Sequence, residues 1–216
     1  MMPLDFLTLA QQCAPQISPV TMAAVVRAES GFNPYAIGVV HGRLLWQPTT
    51  EAQARVTARA LEAQGWRFSV GLAQVNRANW PRYGITEQNA FNPCRNLAAG
   101  AAILEGCFLL ARRGHGDAQV ALRDSLSCYA SGNFSTGYRT GYVQRVVNGA
   151  QQSVPVSWVN RAPVAPTVPA IAPIPVVRET SEPSADPAPI KSVIDSRPRP
   201  DEGVAGAVGQ GSAVVF

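Results

Sequence analysis

Apolar residues recur at helical spacing in six stretches of the first 150 residues, and between two of them the period falls to that of strands. Residues 3–13 predict a short helix, with Leu4, Phe6, Leu7 and Leu9 as its apolar members. In the second helix Ser18 stands as N-cap and Pro19 as the first helical residue. Val20, Ala23, Ala24, Val25, Val26 and Ala28 make it apolar on most sides, so it is expected to be buried. Gly31 stops it and Pro34 forbids continuation. Gly38 to Trp46 holds two short apolar runs around His41-Gly42 and predicts a β-hairpin. Thr49 or Thr50 caps a helix to about Gln64, with Gly65 as its stop. Trp66 to Val70 alternates loosely and predicts a third strand. Gly71-Leu72-Ala73-Gln74-Val75-Asn76 follows as a tight, Gly-led segment with two amide side chains. Residues 77–92 are rich in turn formers. Pro93 then opens a helix to about Arg113, with Leu97, Ala101, Leu104, Phe108 and Leu109 at helical spacing. Gly114-His115-Gly116 ends it, and Asp117 caps a further helix to about Tyr129. Residues 131–137 are a Gly/Ser/Asn loop, and a last helix runs from about Thr140 to Asn148. The predicted fold class is mainly α (α+β), with a small β-hairpin or sheet.

Both periodicities stop near residue 151. Eleven of the 18 prolines lie at or after Pro155, several two or three residues apart, as at Pro163, Pro166, Pro169, Pro173 and Pro175. The chain therefore divides into a folded domain, 1–150, and a Pro-rich tail, 151–216, expected to be extended and disordered. A plain linker competes there with a docking peptide.

Composition narrows the class. Hydrophobic residues are 46%, ordinary for a globular chain. No segment approaches 18 uninterrupted apolar residues, so no transmembrane segment is expected. The N-terminus carries Asp5 and no basic region, and does not resemble a signal peptide. Residues 1–150 hold 13 Arg against eight acids, while 151–216 hold five basic and six acidic residues. A modestly basic domain fits an anionic polymer as partner, such as cell wall or lipid surface. Nucleic acid is the weakest candidate, because Arg clusters with interleaved aromatics are absent. Cys13, Cys94, Cys107 and Cys128 all fall in the domain, which points to two disulfides and an oxidising compartment. Four buried reduced thiols are the alternative. Three pairings are open; Cys13–Cys94 with Cys107–Cys128 is favoured, because the first ties the N-terminal helix to the start of the Pro93 helix. No C-x-x-C pair exists, which argues against a metal site. No nucleotide loop or Ser/His/Asp order appears, and no cofactor is expected.

The chemistry concentrates at Ala28-Glu29-Ser30-Gly31-Phe32-Asn33-Pro34. A buried helix delivers one carboxylate, Glu29, to the edge of a core. Burial disfavours the charged form, so such a Glu keeps its proton and can act as a general acid. A Glu in the last turn of a surface helix is the competing reading.

Four pieces together resemble the goose-type-lysozyme-like lytic transglycosylases, the SLT family. Glu29 to Pro34 is similar to their catalytic-Glu motif, and Gly71 to Asn76 to their Gly-Leu-Met-Gln-Ile-Asn motif. Cys128-Tyr129-Ala130-Ser131-Gly132-Asn133 sits where the family has Ala-Tyr-Asn-Ser/Ala-Gly, and Tyr142-Val143-Gln144-Arg145-Val146 resembles the closing Tyr-Val-x-x-Val helix. Order and rough spacing fit over residues 13–148. The long stretch between Glu29 and Gly71, the cysteines and the Pro-rich tail look most like the transglycosylases encoded with bacterial type IV secretion systems. Three positions depart from the pattern. Residues 38–65 form an insertion, expected near the cleft mouth. Ala73 replaces the usual Met. Ala130 replaces an Asn whose hydrogen bond must be lost or supplied by a neighbour such as Asn133.

The resemblance implies a periplasmic lytic transglycosylase acting on peptidoglycan glycan strands. Glu29 would protonate the glycosidic oxygen between N-acetylmuramic acid and N-acetylglucosamine. It would then take the proton of the muramic C6 hydroxyl, forming 1,6-anhydromuramic acid. Gln74 and Asn76 bring amides suited to N-acetyl and hydroxyl groups, or bond their own backbone instead. Tyr129 offers a stacking face, and Ser131 and Asn133 polar contacts. Tyr142 would bind sugar or orient Glu29, and Ser30 would support Glu29 from behind. His41 and His115 are turn residues. The other acids lie outside the motifs. The expected molecule is a monomer whose tail reaches components of the secretion apparatus. A hydrolase of the same fold and a non-catalytic wall-binding scaffold are the alternatives.

Overall fold

The computed structural model describes residues 5–152 and 172–179. Within them the chain runs α1 (Phe6–Cys13), α2 (Pro19–Ser30), β1 (Ile37–Val39), β2 (Gly42–Leu44), α3 (Glu51–Ala63), β3 (Phe68–Val70) and β4 (Val75–Asn76). Two 3-10 turns follow, then α4 (Pro93–Gly114), α5 (Ala118–Ser131), α6 (Thr136–Arg139), α7 (Tyr142–Ala150) and β5 (Val176–Arg178). The strands form one antiparallel sheet in the order β4-β3-β1-β2-β5. The fold is mainly α with a small sheet, as the periodicity predicts.

Most helix ends follow from single side chains. Asp5 caps α1 by accepting from Thr8 N, Thr50 caps α3 by accepting from Gln53 N, and Asp117 accepts from Gln119 N and Val120 N at the start of α5. Ser18 occupies the cap position of α2 without a side-chain cap bond. Gly31 ends that helix in the left-handed conformation, at φ 57°.

Two buried clusters meet at α2 and α4. One joins α1 and α2 to the sheet and the first half of α4, with Phe6, Phe32, Phe68 and Leu97 fully buried. The other lies between α2, α4, α5 and α7, with Val25, Leu104, Leu126 and Val146 at its centre. α2 is not buried all round, however: Val20 and Ala28 are exposed. Leu109 likewise points outward from α4. α4 is the one described helix long and apolar enough to cross a membrane. It is the central core helix, half of it buried, and both disulfides anchor to it. Cys13–Cys94 ties the end of α1 to its start, and Cys107–Cys128 ties its middle to α5. The first closes a separation of 81 residues, for which chain entropy alone gives roughly 4 kcal/mol.

Three local expectations need correction. The hairpin turn falls one residue early, with His41 at φ 58° and Gly42 already paired in β2. Gly42 is needed in the strand, not the turn. A Cβ there would come within 3.2 Å of Trp66, Val176 and the Val177 carbonyl. Residues 131–137 are not all loop, because the Asn133 carboxamide accepts from Ser135 N and Thr136 N and starts α6. Finally, part of the expected tail returns to the domain. Residues 174–179 are extended, as expected, but they pair with β2 and so belong to the sheet. The remainder of 151–216, with its expected disorder and partners, lies outside the described residues apart from Gln151, Gln152, Ala172 and Pro173.

Candidate active site

The C-terminus of α2 opens into a cleft of about 320 Å³ between the helical core and the sheet. Glu29 lines it from one side. Gly38, Val39 and Val40 of the hairpin line it as well, with Arg67 and Ser69 of the neighbouring strand region. Gln74, Asn76 and Asn79 also line it, as do Tyr129, Ala130 and Gly132 of α5 and its cap. The insertion therefore builds a wall of the cleft, as its sequence position predicts.

Glu29 sits in the last turn of α2, at the negative end of the helix dipole, which disfavours a carboxylate. Burial lifts its pKa from 4.5 to about 7. The Tyr142 hydroxyl, which donates to Glu29 Oε1, and the nearby Arg145 guanidinium pull the other way without cancelling it. Tyr142 is the first residue of α7, and its ring is buried between α2 and α5. Burial, and then the charge of Glu29, holds its phenol well above the usual range, so it serves as a donor. Arg145 stays exposed one turn along α7, with its guanidinium 5.8 Å from the Tyr142 ring centroid. Ser30 does not touch Glu29. Its hydroxyl donates to Val26 O and to Leu72 O, at 3.1 and 2.8 Å, and so pins the Gly71 segment against α2.

The amides of that segment are partly spent on the backbone. Gln74 Nε2 donates to Ala36 O and Gly71 O, at 3.1 and 2.9 Å. Its backbone is left-handed at φ 45°, a strained position for a non-glycine residue that points the side chain back across β1. Asn76 Oδ1 accepts from Ala78 N, and its Nδ2 lies 3.4 Å from Ser69 Oγ. Tyr129 donates to Ala73 O at 2.5 Å, which orients its ring along the cleft. Gly100 makes this approach possible: a Cβ on it would stand 2.4 Å from Ala73 Cβ and 3.1 Å from the Tyr129 hydroxyl. A large residue at position 73 would not fit against α4 in this arrangement.

Two expected contacts do not reach the cleft. Ser131 is buried and donates to Ser127 O and Asn133 O. The Asn133 carboxamide is used on Ser131 O and the first turn of α6, so it does not stand in for the Asn that Ala130 replaces. Conversely, Asn96 escaped notice. It is 1% exposed in α4 and makes three bonds: Nδ2 to Val70 O and Ala90 O, Oδ1 from Ala73 N. Its signal was a lone amide among the apolar positions of a core helix. Arg67, Ser69 and Asn79 were also missed, since nothing in the chain order brings them to Glu29.

Comparison with known proteins identifies the family of the chain. The family model of the transglycosylase SLT domain matches residues 6–144. The chain is 49% identical over 188 residues to the type IV secretion system protein virB1 of Brucella suis biovar 1, covering 84% of this chain and 73% of that one. It is 55% identical over 153 residues to the protein of that name from Brucella abortus biovar 1, covering 68% and 64%. With protein virB1 of Agrobacterium fabrum the identity is 37%, over 70% of this chain and 61% of the relative. In the last two cases the chain spans less than two thirds of the relative's length. No solved structure matches the chain. The chain belongs to the SLT transglycosylase family.

Proposed function

We propose that this chain is a peptidoglycan lytic transglycosylase that cleaves the β-1,4 bond between N-acetylmuramic acid and N-acetylglucosamine and leaves 1,6-anhydromuramic acid. One observation carries the product: among the described residues, Glu29 is the only acid lining the cleft. Hydrolytic glycosidases generally set two carboxylates across the bond. A single one suits a reaction in which the sugar supplies its own nucleophile. Protonated Glu29 gives its proton to the glycosidic oxygen as the C1–O bond breaks. Its carboxylate then takes the proton of the C6 hydroxyl as that oxygen bonds to C1, and the acid is regenerated. Both reactants belong to one ring, so proximity replaces a bound water. Gln74, Asn76 and Tyr129 would hold the flanking sugars. The two disulfides and the virB1 relatives support a periplasmic setting, where local opening of the wall would serve a type IV secretion apparatus. Fractionation that found the chain only in the cytosol would remove that setting.

The test is mass spectrometry of muropeptides released from purified sacculi by the full chain. Anhydro ends are expected. Reducing ends would make the protein a hydrolase and demand a second acid. The pH profile gives an independent check. Tyr142→Phe removes the donor that favours ionised Glu29, so the Glu29 pKa rises above about 7. The alkaline limb of activity should move up by about one pH unit, the size expected for a hydrogen bond to a charged group. A limb that stays in place would deny that Glu29 must be protonated.

A further inference from the structure

We propose that residues 173–179 are an intramolecular brace that positions the hairpin wall of the cleft. β1 and β2 are three residues each, and only Val39↔Gly42 pairs between them. A hairpin this short is marginal by itself. Its base is held from inside, where Gln47 exchanges two hydrogen bonds with the Ile37 backbone, at 2.8 and 3.0 Å. β1 is held by β3 over three residue pairs, and Val40 N bonds Arg67 O. β2 would be an open edge.

β5 closes that edge. Gly42, Arg43 and Leu44 pair with Arg178, Val177 and Val176. Leu45 N donates to Pro175 O at 3.1 Å and Glu179 N to His41 O at 3.2 Å, so the contact runs the whole length of β2 and its turn. Three further contacts fix the segment in place. Ile174 is 3% exposed, and its N–H donates to Thr57 Oγ1 of α3 at 3.1 Å. Val176 packs on the main core. The Arg178 guanidinium lies 4.6 Å from the centre of the Trp66 ring. Pro173 and Pro175 hold the backbone extended before docking, which lowers the entropy lost on pairing. Ile174 between them faces in while both prolines face out.

The link to chemistry is one strand away. Val39 and Val40, just before the β2 edge, line the same cleft as Glu29. An edge that opens lets that wall move, which weakens the grip on glycan without altering Glu29. The catalytic part of this inference rests on the functional reading above; the mechanical part does not.

Val177→Pro in the full chain tests it. Val177 is exposed, so the change breaks strand pairing opposite Arg43 while leaving the core alone. Amide exchange over residues 37–45 should speed up about tenfold, a local opening eased by one pairing interaction. KM on sacculi should rise about threefold or more, with kcat and the alkaline limb unchanged. Ile174→Ala should give the same pattern by emptying the seat beside Thr57, and Val177→Thr should change nothing. Unchanged exchange over the hairpin in both disruptive variants would overturn the brace, and faster exchange with an unchanged KM would overturn its role in the cleft. If the wild type cleaves no glycan, the functional reading falls, and the exchange data still decide whether the strand braces the hairpin.

Discussion

Glu29→Gln should lower glycan cleavage by about 10³-fold, within the range that removal of a general acid gives. The amide keeps the shape and can still meet the Tyr142 hydroxyl, but it has no proton to give to a leaving oxygen. The same variant should be more stable than the wild type at alkaline pH, and this is the sharper signature. The Glu29 pKa is raised on folding, from 4.5 to about 7. The native state therefore holds a proton that the unfolded chain releases, and stability falls as pH climbs between those two values. Above about 7 the wild type carries a charge in an unfavourable place. Glu29 keeps a face open to the cleft, so the cost is discounted to about 1–3 kcal/mol. Glutamine removes it. Thermal unfolding at pH 8 should show the variant several degrees higher, and at pH 4.5 the two should coincide. A variant that loses activity together with stability at every pH would mean a damaged fold, and one that keeps its activity would mean that a group other than Glu29 supplies the proton.

How far the sequence carried this picture depends on which contacts it had to foresee. Elements set by their own residues were legible: Pro19 and Gly31 bound α2, Thr50 and Asp117 cap α3 and α5, and the glycines at 114 and 116 flank the end of α4. Glu29 was legible because a lone acid stood at the end of an apolar helix, and Gln74, Asn76 and Tyr129 because they lie in motif stretches. Several of the failures involve partners far along the chain, and one involves local bonds. Prolines at 173 and 175 suggested an unpaired tail, since proline removes ladder donors. Both prolines stand before β5, however, and Pro175 still pairs through its carbonyl, which accepts from Leu45 N. Ser131 and Asn133 looked like sugar ligands because they stand in a stretch that resembles a family motif. Their polar atoms are consumed within seven residues, by the α5 terminus and the start of α6. Arg67 and Ser69 reach the cleft only because β3 pairs with β1, a register that periodicity does not specify.

Asn96 belongs to the same class of hidden contacts, and its removal should be the most destabilising single change near the site. Its carboxamide serves three backbone groups at once: Ala73 N, Val70 O and Ala90 O, at 2.8, 2.9 and 3.0 Å. All three residues are buried with no exposed surface. Asn96→Ala removes a partner from one donor and two acceptors, a loss of about 1–3 kcal/mol for each group left unsatisfied, and a water in the vacated space recovers part of this. A loss of about 3–5 kcal/mol is expected, a large share of the 5–15 kcal/mol typical of a domain. Activity should fall as well, because the Gly71–Gln74 turn carries the Ala73 carbonyl that orients Tyr129. Asn96→Asp separates this clamp from plain packing, since its volume is nearly unchanged. The ionised form accepts from Ala73 N and turns its second oxygen toward two carbonyls, whereas the protonated form can donate to one of them. Burial raises the pKa of such a carboxyl, so Asn96→Asp should gain stability as pH falls and lose it as pH rises through the raised value. Urea unfolding at pH 5 and pH 8 reads the difference. A loss for Asn96→Asp that is the same at both pH values, or a loss for Asn96→Ala below about 1 kcal/mol, would show that the turn is held by its packing against Gly100 and not by the Asn96 amide.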